Sequence, residues 1–108
     1  MRFKNNNHET RYNEIISKMK STDCYHRAFA YLIALDENIT GKKINDCFDF
    51  KEDCIKPVDE PWLTGFDRSV LMLAFHLWND CHQINLDRVF GSDDEYLLEA
   101  IKIRYCIG

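Results

Sequence analysis

The chain contains few residues that break regular structure, with only four glycines and two prolines among 108 residues. Phosphate-binding loops of the P-loop and Rossmann types need closely spaced glycines, and no such spacing occurs, so both classes of nucleotide site are excluded. Long apolar segments are also lacking, because the longest uninterrupted run, Ala28 to Leu35, has eight residues. A bilayer requires about 20 apolar residues in a helix, so we expect no membrane-spanning segment.

Basic residues are neither numerous nor concentrated. The chain has 14 Lys and Arg against 18 Asp and Glu, a net charge of −4 with histidine neutral. A sequence-independent nucleic-acid binder needs a concentrated basic surface, so this balance disfavours nucleic acid as a partner. Nucleic-acid binding is therefore only a third hypothesis, under which Lys42, Lys43 and Arg68 would contact phosphates. An acidic protein can still bind a basic surface on another protein, because complementary charge steers association.

The cysteines do not follow the pattern of a disulfide framework or a zinc site. They are odd in number and irregularly spaced: Cys24, Cys47, Cys54, Cys81 and Cys106. The N-terminus carries Asn5-Asn6-Asn7 where a secretory signal would need an apolar run. We therefore predict a cytoplasmic protein whose thiols are reduced and serve as small core residues.

The sequence predicts an all-α fold, a compact single domain over residues 1–108. Apolar residues recur at helical spacing in four segments, which predict the four main helices: His8 to Lys20, Cys24 to Asp36, Thr64 to Asn79, and a last helix after the capping box Ser92-Asp93-Asp94-Glu95. The third of these is apolar nearly all round, so we expect it to be the central helix that the others enclose.

The segments between these helices are less regular. Lys42 to Phe50 could form a short helix with Ile44, Cys47 and Phe48 facing inward, or irregular structure. Pro57 and Pro61 exclude a helix or central strand from Lys51 to Leu63, which we predict to be a proline-bearing loop.

Tyr25-His26-Arg27 is the strongest local candidate for a functional site. In the first turn of the second helix, His26 and Arg27 could bind a phosphate or carboxylate near free backbone N–H groups. This would suit a small helical enzyme or ligand-binding domain with a His26/Arg27 pocket. Under the structural alternative Tyr25 lies in the core and Arg27 pairs with Asp23.

Other clusters do not complete a catalytic or metal site. Cys81 and His82, with His76 and Asp80, lack the paired spacing of zinc ligands, and Cys24 near His26 lacks the surroundings of a nucleophile. The acidic cluster Asp46, Asp49, Glu52 and Asp53 lacks the central glycine of an EF-hand loop. It is either a solvated face or an electronegative patch for a basic partner. We therefore assign no catalytic residue, no metal and no cofactor.

Several short segments together resemble a family of short uncharacterised proteins, a domain of unknown function found in Gram-positive bacteria, their phages and mobile elements. They are Tyr25-His26-Arg27-Ala28, Phe48-Asp49-Phe50, Ile55-Lys56-Pro57, Trp62-Leu63-Thr64-Gly65, Leu73-Ala74-Phe75 and Leu77-Trp78-Asn79. The similarity extends from Phe3 to Tyr105. It brings no known activity, but it implies an accessory protein of mobile DNA, a class in which many members bind a host or phage protein.

The leading hypothesis is a non-enzymatic protein-binding accessory or inhibitory protein of a phage or mobile element, for example an anti-defence protein. The residues predicted to contact the partner are Tyr25, His26, Arg27, Asp49 and Trp62, with Trp62 as an aromatic anchor. A homodimer is an alternative that the sequence leaves open, because the aromatic surface of Trp62, Phe66 and Trp78 could exceed what one small core can bury.

Overall fold

The computed structural model describes residues 1–37, 39, 44–56, 65–79 and 94–106. Their helices are α1 (Asn6–Lys18), α2 (Cys24–Leu35), α3 (Ile44–Cys47), α4 (Gly65–Asn79) and α5 (Asp94–Tyr105). Two short antiparallel strands, β1 (Phe48–Asp49) and β2 (Cys54–Ile55), form a hairpin in which Phe48 lies opposite Ile55. The prediction of an all-α fold is confirmed, with this hairpin as a small addition.

Side-chain caps explain where the first two helices begin. The Asn5 side chain accepts a hydrogen bond of 2.8 Å from the backbone N–H of His8, so α1 starts at Asn6 rather than at His8 as predicted. Asp23 caps α2 in the same way, accepting from the N–H of His26 at 3.0 Å. The predicted start of α2 at Cys24 is therefore confirmed.

The central helix is α2, not α4 as the sequence pattern predicted. Each of α1, α4 and α5 packs against α2, whereas α4 and α5 touch each other much less. All residues from Ala28 to Leu35 are buried, while α4 leaves Arg68 and Met72 exposed. The physical reason is that a helix enclosed on every side needs a long apolar run, and the run in α2 has eight residues whereas that in α4, from Val70 to Phe75, has six.

The N-terminal arm packs against the helices. The centroid of the Phe3 ring lies 5.2 Å from that of His8 and 5.9 Å from that of Tyr31. The Tyr31 hydroxyl donates a hydrogen bond to the carbonyl of Arg2. His8 is fully buried, and its Nδ1 must accept because its partner is the backbone N–H of Lys4, at 3.0 Å. Its Nε2 therefore carries the proton and donates to the Tyr31 carbonyl at 2.9 Å.

The hairpin lies partly within the segment predicted to be irregular. Ile44, Cys47 and Phe48 are buried, which confirms their predicted inward orientation. Asp49 stabilises the turn between the strands, since its Oδ1 accepts from the backbone N–H groups of Lys51 and Glu52, each at 3.0 Å. The turn closes at Asp53, whose φ of 56° is in the left-handed region that aspartate tolerates better than most residues.

The cysteines were predicted to be core residues, and this holds for Cys47 alone among the four in the described ranges. Cys54 and Cys106 are exposed and Cys24 is half-buried; all four are free thiols. Burial raises the pKa of the Cys47 thiol to about 11, so it stays protonated. Cys54 is on the exposed side of the short strand β2, and Cys106 directly follows the end of α5.

Several predictions fall on residues outside the described ranges. They concern the start of the third predicted helix at Thr64, the two prolines of the loop, and Ser92 and Asp93 of the capping box. Within the described ranges, no helix is long and apolar enough to cross a membrane.

Candidate functional site

A cluster of three ionisable side chains joins the start of α2 to the hairpin. His26 Nδ1 lies 2.7 Å from Oδ1 of Asp23, and His26 Nε2 lies 2.8 and 3.0 Å from the two carboxylate oxygens of Asp53. The His26 ring is buried, with 6% of the residue exposed, whereas Asp23 is exposed and Asp53 is half-buried. We refer to Asp23, His26 and Asp53 as the carboxylate–histidine cluster.

The geometry of this cluster assigns the charge on His26. Both ring nitrogens face carboxylate oxygens, which only accept hydrogen bonds when ionised, so both nitrogens must donate and the ring is an imidazolium. Burial acts to lower the pKa of His26, but the hydrogen bonds and charges of Asp23 and Asp53 outweigh it and raise the pKa above the ordinary 6.5. For Asp23, desolvation acts in the opposite direction to the bonds from His26, and the bonds hold its pKa below 3.8.

Aromatic packing fixes the position of His26. Its ring meets the Trp78 indole edge to face at a centroid distance of 4.8 Å, and Trp78 also contacts Phe48 of β1 at 5.1 Å. Three of the segments that carry the family resemblance therefore meet here: the start of α2, the first strand of the hairpin and the end of α4. The cluster is a junction between elements distant in sequence.

This arrangement suits a structural junction better than catalysis by His26. A general base needs an unprotonated nitrogen within reach of a substrate, and both nitrogens of His26 already donate to carboxylates. Among the described residues, no group of three or more His, Cys, Asp and Glu side chains is arranged to hold a metal ion.

Arg27 lies away from this cluster, at an open groove of about 260 Å³ between the N-terminal arm, α2 and α5. The groove is lined by Met1, Arg27, Glu99, Lys102, Ile103 and Cys106. His26 does not line this groove, so the two residues of the predicted pocket lie in different surroundings within the described part of the chain. Arg27 Nη1 donates to the Thr22 carbonyl at 3.0 Å, and Asp23 contacts His26 instead of the predicted Arg27.

Tyr25 belongs to a third group of side chains, in which it covers a buried arginine. The Arg104 guanidinium carbon lies 3.7 Å from the Tyr25 ring centroid and 4.7 Å from that of Tyr105. Arg104 is only 7% exposed, whereas Tyr25 is 40% and Tyr105 46% exposed. The prediction that Tyr25 lies in the core is therefore wrong, because one face of its ring packs on Arg104 while the rest meets solvent. We call Tyr25, Arg104 and Tyr105 the tyrosine–arginine face.

Of two further residues predicted to contact a partner, Asp49 makes internal contacts and Trp62 lies outside the described residues. Asp49 caps the hairpin turn, and hydrogen bonds from the backbone N–H groups of Glu52 and Lys51 hold its pKa below 3.8. With Asp53 bound to His26, two members of the predicted acidic patch already make internal contacts. Trp62 lies outside the described residues, as do Lys42 and Lys43 of the nucleic-acid alternative; Arg68 is exposed.

Lys102 and Arg104 were not predicted from the sequence to belong to a site, and Asp53 was predicted only as a member of the acidic cluster, not as a partner of His26. Arg104 had a detectable signal, because it occupies the same helical face as Leu97 and Ala100, where a charged residue needs a buried partner. Asp53 had none, since its contact with His26 spans 27 positions and depends on the hairpin.

The carboxylate–histidine cluster predicts how stability depends on pH. A group whose pKa is raised by folding stabilises the protein below its unfolded pKa and loses this effect as pH rises through the folded value. The stabilisation from His26 is therefore complete below pH 6.5 and declines as the pH rises above that value. The stabilisation from Asp23 is present above pH 3.8 and declines as the pH falls.

Urea unfolding of the wild type and His26→Gln from pH 5 to 9 tests this, because the other ionisable groups cancel in the difference. We expect the advantage of the wild type to shrink as pH rises above 6.5. A difference that stays constant with pH would show that His26 is not charged in the folded protein.

A family model described as "Family of unknown function (DUF6075)" matches residues 1–107. No curated protein and no solved structure matches the chain.

Proposed function

The chain belongs to this family of unknown function, and we propose that it is a non-enzymatic protein-binding module. The Gram-positive, phage and mobile-element context implied by the sequence resemblance supports a narrower proposal. In it, the protein is an accessory or inhibitory factor of a mobile element, for example an anti-defence protein, that acts on a host or phage protein in the cytoplasm.

The observation that carries the proposal is the tyrosine–arginine face. Tyrosine and arginine are enriched among the residues that contribute most to protein–protein interfaces. The Tyr25 ring is both 40% exposed and held against Arg104, so it loses little conformational freedom when a partner covers it. Leu98, 50% exposed, lies two helical turns before Tyr105 on α5 and extends the apolar surface.

Two other residues predicted to contact the partner, His26 and Asp49, already have internal partners, so the proposal depends on the tyrosine–arginine face. The imidazolium of His26 is bound on both sides by carboxylates, and Asp49 is bound to the turn that it caps. A pocket formed by His26 and Arg27 would need the two side chains to line one cavity, and Arg27 lines an open groove without His26.

Site-specific photocrosslinking in the producing cells tests the proposal. We would place p-benzoylphenylalanine at Tyr25 and, separately, at Tyr105, since this residue keeps an aromatic ring beside Arg104. The matched control is Asn13, an exposed position on α1, which packs on α2. We expect positions 25 and 105 to capture the same protein, identified by mass spectrometry, and position 13 not to capture it.

Equal capture at all three positions, or adducts with only the most abundant cell proteins, would contradict a specific interface on this face.

A further inference from the structure

We propose that the groove between Arg27 and Lys102 binds a carboxylate side chain from an acidic, partly apolar peptide segment of the partner. This inference rests on the proposed protein-binding function and adds the chemistry that the partner must present. It concerns the groove beside the N-terminal arm, which is lined by different residues from the tyrosine–arginine face.

The cations of the groove have unused capacity for an anion. Arg27 donates from Nη1 to the Thr22 carbonyl, a neutral acceptor, and Lys102 is exposed on α5. Within the described ranges, neither residue forms an ion pair, unlike Arg2, whose Nη2 lies 2.8 Å from Oε2 of Glu95. A guanidinium and an ammonium that line the same groove can both donate to one carboxylate, and charge-assisted hydrogen bonds of this kind are the stronger ones.

Glu99 makes the groove selective among anions. Its Oε2 accepts from the backbone N–H of Arg2 at 3.2 Å, so this carboxylate is held within the groove lining. With Arg27 and Lys102 positive and Glu99 negative, the local charge favours a single carboxylate. A continuous row of phosphates would meet Glu99 as well as the two cations, so a nucleic-acid backbone fits this groove less well.

The remaining lining is suited to an apolar neighbour of that carboxylate. Ile103 is half-buried, Met1 is 55% exposed, and both contribute apolar surface beside the charged groups. The groove is open and its volume of about 260 Å³ is below the 300–1,000 Å³ range typical of small-molecule pockets. An acidic residue next to an apolar one, as in an alternating Glu-Leu segment, matches both parts of the lining.

Fluorescence anisotropy with a short labelled peptide that alternates Glu and Leu tests this inference. The matched probe replaces each Glu with Gln, and a single-stranded oligonucleotide of equal net charge reports nucleic-acid binding. We expect Arg27→Gln and Lys102→Gln each to weaken binding of the acidic peptide about tenfold, as expected for the loss of one charge-assisted hydrogen bond. The control is Lys20→Gln, an exposed cation outside the groove lining, which should bind as the wild type does.

The inference is supported if the acidic peptide binds, the Gln peptide does not, and only the two groove variants weaken it. It is overturned if the acidic peptide does not bind, if both peptides bind equally, or if all three variants behave alike. It is also overturned if the oligonucleotide binds more tightly than the peptide and loses affinity in the same two variants. Tyr25 and Tyr105 do not line this groove, so a captured partner with no peptide binding would leave the proposed function standing and remove only this inference. Unchanged urea midpoints would verify that the variants are folded.

Discussion

Replacing His26 with alanine is expected to lower the free energy of unfolding by about 2–3 kcal/mol at about pH 6, since breaking a charged hydrogen-bonded pair leaves a partner without compensation. The substitution removes the donors to Asp23 and Asp53 and the ring that packs against Trp78. The expected loss is below the 3–5 kcal/mol of a fully buried pair, because both carboxylates are partly exposed and water can rehydrate them. Urea denaturation followed by tryptophan fluorescence measures it.

Two further variants separate charge from packing at this position. His26→Phe keeps an aromatic ring beside Trp78 but removes both N–H donors, so we expect most of the destabilisation to remain. Adding Asp53→Leu to that variant removes a carboxylate that has lost its partner and should recover part of the stability, as seen when buried ionic groups are replaced by apolar ones. If His26→Phe is as stable as the wild type, packing alone explains the role of His26 and the charge assignment is wrong.

The helical parts of the fold could be predicted because their signals are local. Asp23 precedes an apolar run and caps α2, and apolar residues recur at helical spacing in each of the predicted helices. Which helix lies at the centre of the fold could not be predicted from such local signals. Both α2 and α4 are rich in apolar residues, and which one lies at the centre depends on contacts between helices.

Only part of the candidate site could be predicted from the sequence, and the reason is geometric. Tyr25, His26 and Arg27 are consecutive, and successive side chains on an α-helix point about 100° apart. They therefore contact three different surroundings: Arg104, the two carboxylates, and the groove. A short motif in a helix thus identified important residues without identifying a common site, and their partners from the hairpin turn and α5 could be found only in three dimensions.

Replacing Arg104 with alanine is expected to lower the free energy of unfolding by about 3 kcal/mol, the combined cost of a buried unpaired acceptor, lost cation–π contacts and lost packing. Arg104 Nε donates to the Leu77 carbonyl at 2.7 Å, in the last turn of α4, where helix carbonyls lack partners of their own. The positive charge also lies at the negative end of the α4 dipole. This residue therefore joins α5 to the end of α4, which otherwise touch little.

The chemistry of the guanidinium predicts the order of stability among further variants at this position and a control. Arg104→Lys keeps the charge but lacks both the planar group that stacks on Tyr25 and the Nε donor, so we expect it to recover less than half of the loss. Lys102→Ala is the matched control, an exposed cation on the same helix, and should change stability by less than about 0.5 kcal/mol. If Arg104→Lys is as stable as the wild type, positive charge alone is sufficient and the stacked geometry does not stabilise the fold. If Arg104→Ala is as stable as Lys102→Ala, α4 and α5 are held in place without Arg104, and the rigidity that we ascribe to Tyr25 at the tyrosine–arginine face needs another source.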